Sequence, residues 1–371
     1  MAFDYDIPKI VVENNSNVQA VAPNGIAGRL GVIADLGIAS TDLIVANNYR
    51  EFLEKVPATA LTNPTADLKA IKQLFLQKED SLGASSIIVA PVGSNYTVTT
   101  FGDALDKLEA EEFDILVILK PVEYETATIG GVSVADAYLT MLKNWLKTRY
   151  TNKDGVGSIF ALRESTESNQ DIITRMTDFG RGCYACICQE VNGLTLNETV
   201  GFITGTIAGR RLDKSLTAKV VAGMTSITDE NGANKELLIN DGSSIGKQYM
   251  NAGIMVFRPF NRRNNAYGVL RSICPSGFDM SVERRADYMT REFQLKDYLG
   301  ESNNVITLDS IAGEINAKKH QFVEILGLCN EINTNIQKVN SHTVEVDIEY
   351  VFDGIIDLIK VFVEFKIDEG E

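Results

Sequence analysis

Residues 114–122 read DILVILKPV, with an unbroken apolar run from Ile115 to Leu119. A strand with one wet face alternates apolar and polar side chains, whereas an uninterrupted run is buried on both faces. Three further stretches share the pattern: SSIIVAPV (85–92), GSIFALR (157–163) and GCYACICQEV (182–191). Between and after them, helical spacing recurs near 102–111, 133–148, 168–179 and 198–209. Strands buried on both faces and separated by helices predict a mostly parallel or mixed sheet covered by helices.

The pattern extends back to Gly25. Ile26 to Ala34 reads as a small-residue strand and Asn47 to Val56 as a helix carrying Tyr49, Phe52 and Leu53. Thr65 to Gln77 reads as a second helix with Leu68, Ile71, Leu74 and Phe75 on one face. Residues 25–210 are thus expected to form an α/β domain.

After Gly209 the rhythm changes. Leu216 to Thr228 is extended, DENGAN (229–234) is a turn and KELLIN (235–240) a short strand. A helix at Ile245–Asn251 leads into the strand GIMVFRP (253–259), and NRRNN (261–265) turns into AYGVLRSI (266–273). Ser281 to Leu295 reads as a helix containing Arg284 and Arg285. Asp309 or Ser310 is positioned to cap a long helix with the stripe Ile311, Ile315, Phe322, Ile325, Cys329, Ile332, Ile336, Val339. These elements make residues 211–340 an α+β domain.

Both ends look like strands. Residues 1–24 have the extended Ile7-Pro8 pair and a β-prone run at Ile10, Val11 and Val12. They read as a linking arm or as a disordered or locally packed terminus. In residues 341–371, Val344, Val346, Ile348 and Tyr350 alternate with acids, and Ile359, Val361, Val363, Phe365 and Ile367 form a second alternating run. Alternation predicts two strands joined as a hairpin. Such a hairpin is completed either by its own domain or by strands of other copies.

The chain has 371 residues with 35 basic and 50 acidic side chains. That balance argues against broad nucleic-acid binding and against attraction to an anionic membrane. No apolar stretch approaches the roughly 20 residues of a membrane span. The opening MAFDYDIPKIVVENN has no secretory pattern, and five cysteines suit reduced thiols, so synthesis in the cytoplasm is expected.

Catalytic constellations are thin. His320 and His342 have no neighbouring thiol or seryl partner and read as surface or packing residues. Cys183, Cys186 and Cys188 lack a second pair of ligands for structural zinc and read as core residues. Gly25, Gly28 and Gly31 lie before or within a strand, so neither a dinucleotide nor a P-loop context is met. Gly201, Gly205 and Ala208-Gly209 read as a close-packing helix face. No catalytic residue, cofactor or metal site is expected. One stretch is basic within the acidic chain: Arg258, Arg262, Arg263 and Arg271 occur without an acid from 258 to 278. It reads as a solvated loop or as a docking patch for an acidic partner.

Three segments carry a resemblance: PNGIAGRLGVIADLGIASTDLIVANNYREFLEKVPA (23–58), TVGFITGTIAGRRLDKSLTAKVV (199–221) and QYMNAGIMVFRPFNRRNNAYGVLRSICP (248–275). They are followed by SVERRADYMTREF (281–293), the long helix and the terminal hairpin. Their order resembles that of contractile tail sheath proteins of phages, R-type bacteriocins and injection systems. The chain is similar to the compact sheaths of bacteriocin-like particles.

The resemblance implies a structural subunit, not an enzyme, that polymerises as stacked helical rings around a tail tube and contracts. The implied partners are other copies, the tube protein, and baseplate and tail terminator proteins, without nucleic acid or membrane insertion. It further implies that residues 1–24 and 341–371 add strands to neighbours through Ile7, Ile10, Val11, Val12, Val344, Val346, Ile348, Val361, Val363 and Phe365. Segments near 14–17 and 353–357 would act as hinges. The alternatives are an α/β enzyme with a cleft at the strands' carboxyl ends, lined by residues such as Glu123, Arg163 and Glu164, or a non-contractile tube protein.

Overall fold

A computed structural model describes residues 28–77, 81–93, 96–152, 154–162, 168–228, 244–261, 266–293, 305–338 and 344–352. The expected N-terminal arm, KELLIN, Arg163, Glu164, Arg262, Arg263, His342 and the strand at 359–367 lie outside these residues.

The chain begins with β1 (Arg29–Ala34) and β2 (Ile44–Ala46), then α1 (Tyr49–Lys55), α2 (Ala58–Thr62) and α3 (Ala66–Leu74). Alternating units follow: β3 (Ser86–Pro91), α4 (Val98–Leu108), β4 (Ile115–Ile118), the small hairpin β5 (Ala127–Ile129) and β6 (Val132–Val134), and α5 (Ala137–Thr151). Next come β7 (Gly157–Ala161), α6 (Asn169–Thr177), β8 (Cys183–Ile187), β9 (Glu190–Val191) and α7 (Leu196–Ala208). The second half has β10 (Lys219–Val220), β11 (Ile227–Thr228), α8 (Ile245–Asn251), β12 (Ile254–Asn261), β13 (Ala266–Arg271) and α9 (Met280–Glu292). It closes with α10 (Val305–His320), β14 (Glu331–Lys338) and β15 (Val344–Val351).

One nine-stranded sheet has the order β10-β13-β12-β8-β7-β4-β1-β3-β2. The six strands from β12 to β3 are parallel neighbours, while β2, β13 and β10 pair antiparallel. The sheet therefore runs across residue 210, drawing strands from both halves of the chain. Successive side chains on a strand face opposite ways, and the core divides accordingly. Val32, Val89, Val117 and Ile159 meet Phe52, Ile71 and Ile203 on one face. Ile33, Ile88, Leu116 and Phe160 meet Phe101, Leu142 and Met176 on the other. The result is the expected mixed sheet between two helical layers. Cys183, Cys186 and Cys188 are buried within it as core residues.

Local chemistry sets the helix ends. Thr195 and Glu198 form a reciprocal capping box at the start of α7. The buried Arg149 of α5 donates to the carbonyls of Leu108, Glu109 and Glu111, satisfying acceptors at the end of α4. Gly201 and Gly205 let α7 lie directly on α3: a Cβ would stand 2.5 Å from the Ala70 carbonyl oxygen at the first and 2.6 Å from that of Gln73 at the second.

Two expectations fail after residue 304. The long helix starts at Val305, so Asp309 and Ser310 lie inside it, and it ends at His320 in a π turn over Gln321–Ile325. Ile325 is 66% exposed, not part of a buried stripe. Ile332 and Ile336 belong to β14, and β15 pairs with β14, from Glu331↔Val351 to Lys338↔Val344. The run at 359–367, read as the hairpin partner of β15, lies outside the described residues. Gly327 sits at φ +60°, a left-handed conformation that breaks the helical path and turns the chain into the strand.

Candidate functional site

The β14–β15 ribbon has two chemically distinct faces. On one, Ile332 lies opposite Tyr350, Thr334 opposite Ile348, and Ile336 opposite Val346. On the other, Asn333 donates to Glu349 (3.2 Å), Asn335 to Asp347 (3.4 Å) and Gln337 to Glu345 (3.0 Å). Among the described residues, the ribbon is a two-stranded sheet of its own.

Only one end of the apolar face is seated. Ile332 is buried in a cluster with Tyr288, Met289, Phe322, Leu328 and Cys329, against which Ile348, Tyr350 and Phe352 pack. The Phe293 ring stands 5.3 Å from Phe322 and 6.2 Å from Tyr350. Arg285 lies 5.1 Å from the Phe352 ring and donates to the Leu328 carbonyl at 2.8 Å. Val344, Val346 and Ile336 remain half-buried beyond this seat. Of the linkage residues expected from the sequence, the structure thus places Val344, Val346 and Ile348 on one ribbon face. Ile7, Ile10, Val11, Val12, Val361, Val363 and Phe365 lie outside the described residues.

The ribbon's seat is fixed to the sheet by α9, which crosses the amino ends of the parallel strands. Asp114, just before β4, is completely buried; it accepts from Arg284 Nε at 2.8 Å, from Arg291 at 3.1 Å and from the Gly28 N–H at 3.2 Å. Burial alone would raise its pKa, but Arg284 and Arg291 together hold the carboxyl below its usual value. One turn from Arg284, Asp287 accepts from Arg181 at 2.6 Å, Tyr150 at 2.7 Å and Tyr184 at 2.8 Å. Burial pushes both tyrosine pKa values well up. At the start of α9, Asp279 accepts from the hydroxyls of Ser215, Thr217 and Ser272 and from the Ser281 N–H. Sequence reasoning noted Arg284, Arg285 and the Ser-Leu-Thr stretch but assigned them no buried partners.

Glu283, also on α9, is nearly fully buried, and that burial pushes its pKa up to about 7 against the pull of the Ser276 hydroxyl. A cavity of about 400 Å³ opens beside α9 and α5, lined by Lys143, Lys147, Tyr150, Phe179, Arg181 and Thr290, among others.

The carboxyl ends of the strands, where an α/β enzyme would hold its substrate, carry a different arrangement. Asp67 accepts from the Asp35 N–H at 2.7 Å and from the Asn197 amide. Burial raises its pKa to about 6. Near the end of β3 a cavity of about 410 Å³ is lined by Thr41, Val92, Thr100, Asp103 and Lys107, among others. Lys107 Nζ donates to the Thr41 carbonyl at 2.6 Å. Of the residues named for such a cleft, Glu123 is exposed. His320 is exposed and contacts Glu324 at 2.9 Å. Among the described residues no group of three His, Cys, Asp or Glu side chains is placed to hold a metal ion, and no helix is long and apolar enough to cross a membrane.

Arg258 and Arg271 occupy neighbouring strands, β12 and β13, near one end of the sheet, and both are half-buried. Arg262 and Arg263 lie outside the described residues.

No family profile matches the chain, and no curated protein matches it in sequence. Solved structures do match in fold. A sheath tail protein from Listeria innocua superposes with a TM-score of 0.57 at 11% identity, over 89% of this chain and 96% of that one. A chain from the anti-feeding prophage baseplate, solved by cryo-EM in the contracted state, gives 0.53 at 10% identity over the full length of both. At such identity the likeness establishes a shared fold.

Proposed function

We propose that this chain is the structural and mechanical subunit of a contractile tail sheath, assembling as stacked rings around a tail tube, with the β14–β15 ribbon as the place where copies join. The observation that carries the reading is the ribbon itself. Eight residues of each strand are paired in register, one end is seated on α9, and the apolar face continues past the seat half-buried. A two-stranded ribbon is marginal in water by itself, and an added strand gives it both main-chain hydrogen bonds and cover for its apolar face.

Residues 1–24 and 353–371 supply those strands to neighbouring copies, with segments near 14–17 and 353–357 flexing as hinges. The rigid body below, tied to the ribbon through α9, turns as a unit during contraction. The likeness in fold to a sheath tail protein and to a chain of a contracted baseplate supports this choice over a site-bearing enzyme. The further partners are the tube protein, the baseplate and the tail terminator.

Electron microscopy of the purified chain tests the proposal. Hollow tubes or stacked rings are expected, and removal of residues 1–24 is expected to leave folded particles that no longer polymerise. Tubes indistinguishable from the full chain after that deletion would overturn the linkage. A sample that stays monomeric at high concentration would overturn the function.

A further inference from the structure

Among the described residues, the side chains hydrogen-bonded to the ribbon's acidic face carry no counter-charge. Glu345, Asp347 and Glu349 stand exposed in a column along β15, and the side chains facing them across the ladder are the neutral amides Gln337, Asn335 and Asn333. Like charges at alternate positions of one strand repel. A cationic surface brought against that column would relieve the repulsion.

Such a surface exists on the same chain. The 400 Å³ cavity beside α9 is lined by Lys143, Lys147 and Arg181 in a protein of net charge −15. Asp287, the acid among the described residues of its wall, already has both oxygens engaged by Arg181, Tyr150 and Tyr184. Lys143 and Lys147 are exposed, and Arg181 keeps 52% of its side chain exposed. Lys143 donates to the Asp178 carbonyl, which steadies it at the rim.

The spacing also matches. Two lysines four apart on a helix are displaced by about 6 Å along its axis. Alternate residues of a strand are displaced by about 6.7 Å. The spacing of Lys143 and Lys147 thus matches that of two successive carboxylates of β15.

We infer that the Lys143–Lys147–Arg181 cavity receives the Glu345–Asp347–Glu349 face of the ribbon from a second copy of this chain. The chain's own ribbon does not serve: it lies on α9 by its opposite face, through Ile348 and Tyr350, with the Tyr350 hydroxyl 3.4 Å from that of Thr290. A contact between two different patches of identical chains is heterologous and propagates into a ring or a helix. This inference rests on the proposed assembly role and names one of its interfaces.

Two measurements test it. In sedimentation across a salt series, Lys143→Glu/Lys147→Glu and Asp347→Lys/Glu349→Lys are each expected to weaken association about tenfold or more. Combining both sets in one chain is expected to restore it, and circular dichroism checks that each variant folds. In the second, a Lys147→Cys chain is mixed with an Asp347→Cys chain under mild oxidation. The five native thiols are buried, so a mixed disulfide reports the engineered pair, with Lys69→Cys as the partner in a control.

Cross-linking no greater than the control, or charge reversals without effect, overturns the interface. Tubes that form with neither effect retain the sheath reading and reject this contact. Specific cross-links in chains that form only short oligomers retain the contact and reject the sheath.

Discussion

Arg284 Nε and Nη2 both donate to Asp114 Oδ2, at 2.8 and 2.5 Å, across 170 residues of sequence. Arg291 reaches the other oxygen, and Arg284 Nη1 extends to the Ile207 carbonyl at 2.6 Å. The pair joins α9 to the amino edge of the sheet and the end of α7. It is one of several ties between α9 and the body, alongside the contacts of Asp287 with Tyr184 and of Asp279 with Ser272.

Removing one member leaves a buried charge without its partner, which costs about 3–5 kcal/mol. Asp114→Ala and Arg284→Met are each expected to lower the free energy of unfolding by that order in a denaturant titration. The double variant should lose clearly less than the sum of the two. Strict additivity would show that the pair is not coupled.

The buried acids make stability fall as pH rises through the neutral range. Glu283 titrates at about 7 and Asp67 at about 6 in the folded chain, both above their ordinary values of 4.5 and 3.8. The folded state thus holds protons that the unfolded state releases. The stability these groups contribute is complete below pH 4 and is lost as pH rises through 6 to 7. Asp114 acts oppositely: its depressed pKa contributes stability above pH 4 that is lost as pH falls through the folded value. Denaturation midpoints are expected to decline from pH 5 to 8, and Glu283→Gln and Asp67→Asn should each flatten part of that decline. An unchanged slope in both variants would reject this assignment.

At Gly201 and Gly205, helix propensity and packing disagree. Alanine in a helix interior is favoured over glycine by about 1 kcal/mol, yet an added Cβ meets main-chain oxygens of α3 at 2.5–2.7 Å. Backbone cannot swing aside as a side chain can. Gly201→Ala and Gly205→Ala are expected to destabilise by about 1–3 kcal/mol. A rise in melting temperature would show that α7 can lift off α3 without loss.

The five thiols should be silent in the native chain. All are buried, and burial pushes Cys183, Cys274 and Cys329 above the ordinary thiol range. A thiol reagent at pH 8 is expected to show no fast phase until denaturant is added, when all five react. A rapid native reaction at any of them would contradict its burial.

The sheet was readable because strands such as Ile115–Ile118 and Cys183–Ile187 are buried on both faces, and an apolar run can then hardly mean anything else. The close-packing face of α7 was readable because glycines spaced four apart in a helix have few other uses, but nothing in the sequence named α3 as its partner. The ribbon's first strand was misread for a definable reason. Ile325, Cys329, Ile332 and Ile336 are spaced three to four apart, near the helical period, yet the interval of four between Ile332 and Ile336 also fits alternation. The intervening Asn333, Thr334 and Asn335, poor helix formers, and Gly327 were the signals that separated the two. The α9 charges had no local signature at all. Nothing near Arg284 in sequence announces a carboxylate at position 114, so their burial is a property of the tertiary fold alone.

Among the described residues, the nine-stranded sheet stops at three residues on one side, in β2, and at two on the other, in β10, each antiparallel to its neighbour. A foreign chain approaching either margin finds few free main-chain groups to pair with, so the large sheet is a poor template for stray molecules. Edge-to-edge pairing between crowded molecules is thus discouraged by geometry and not by charge alone.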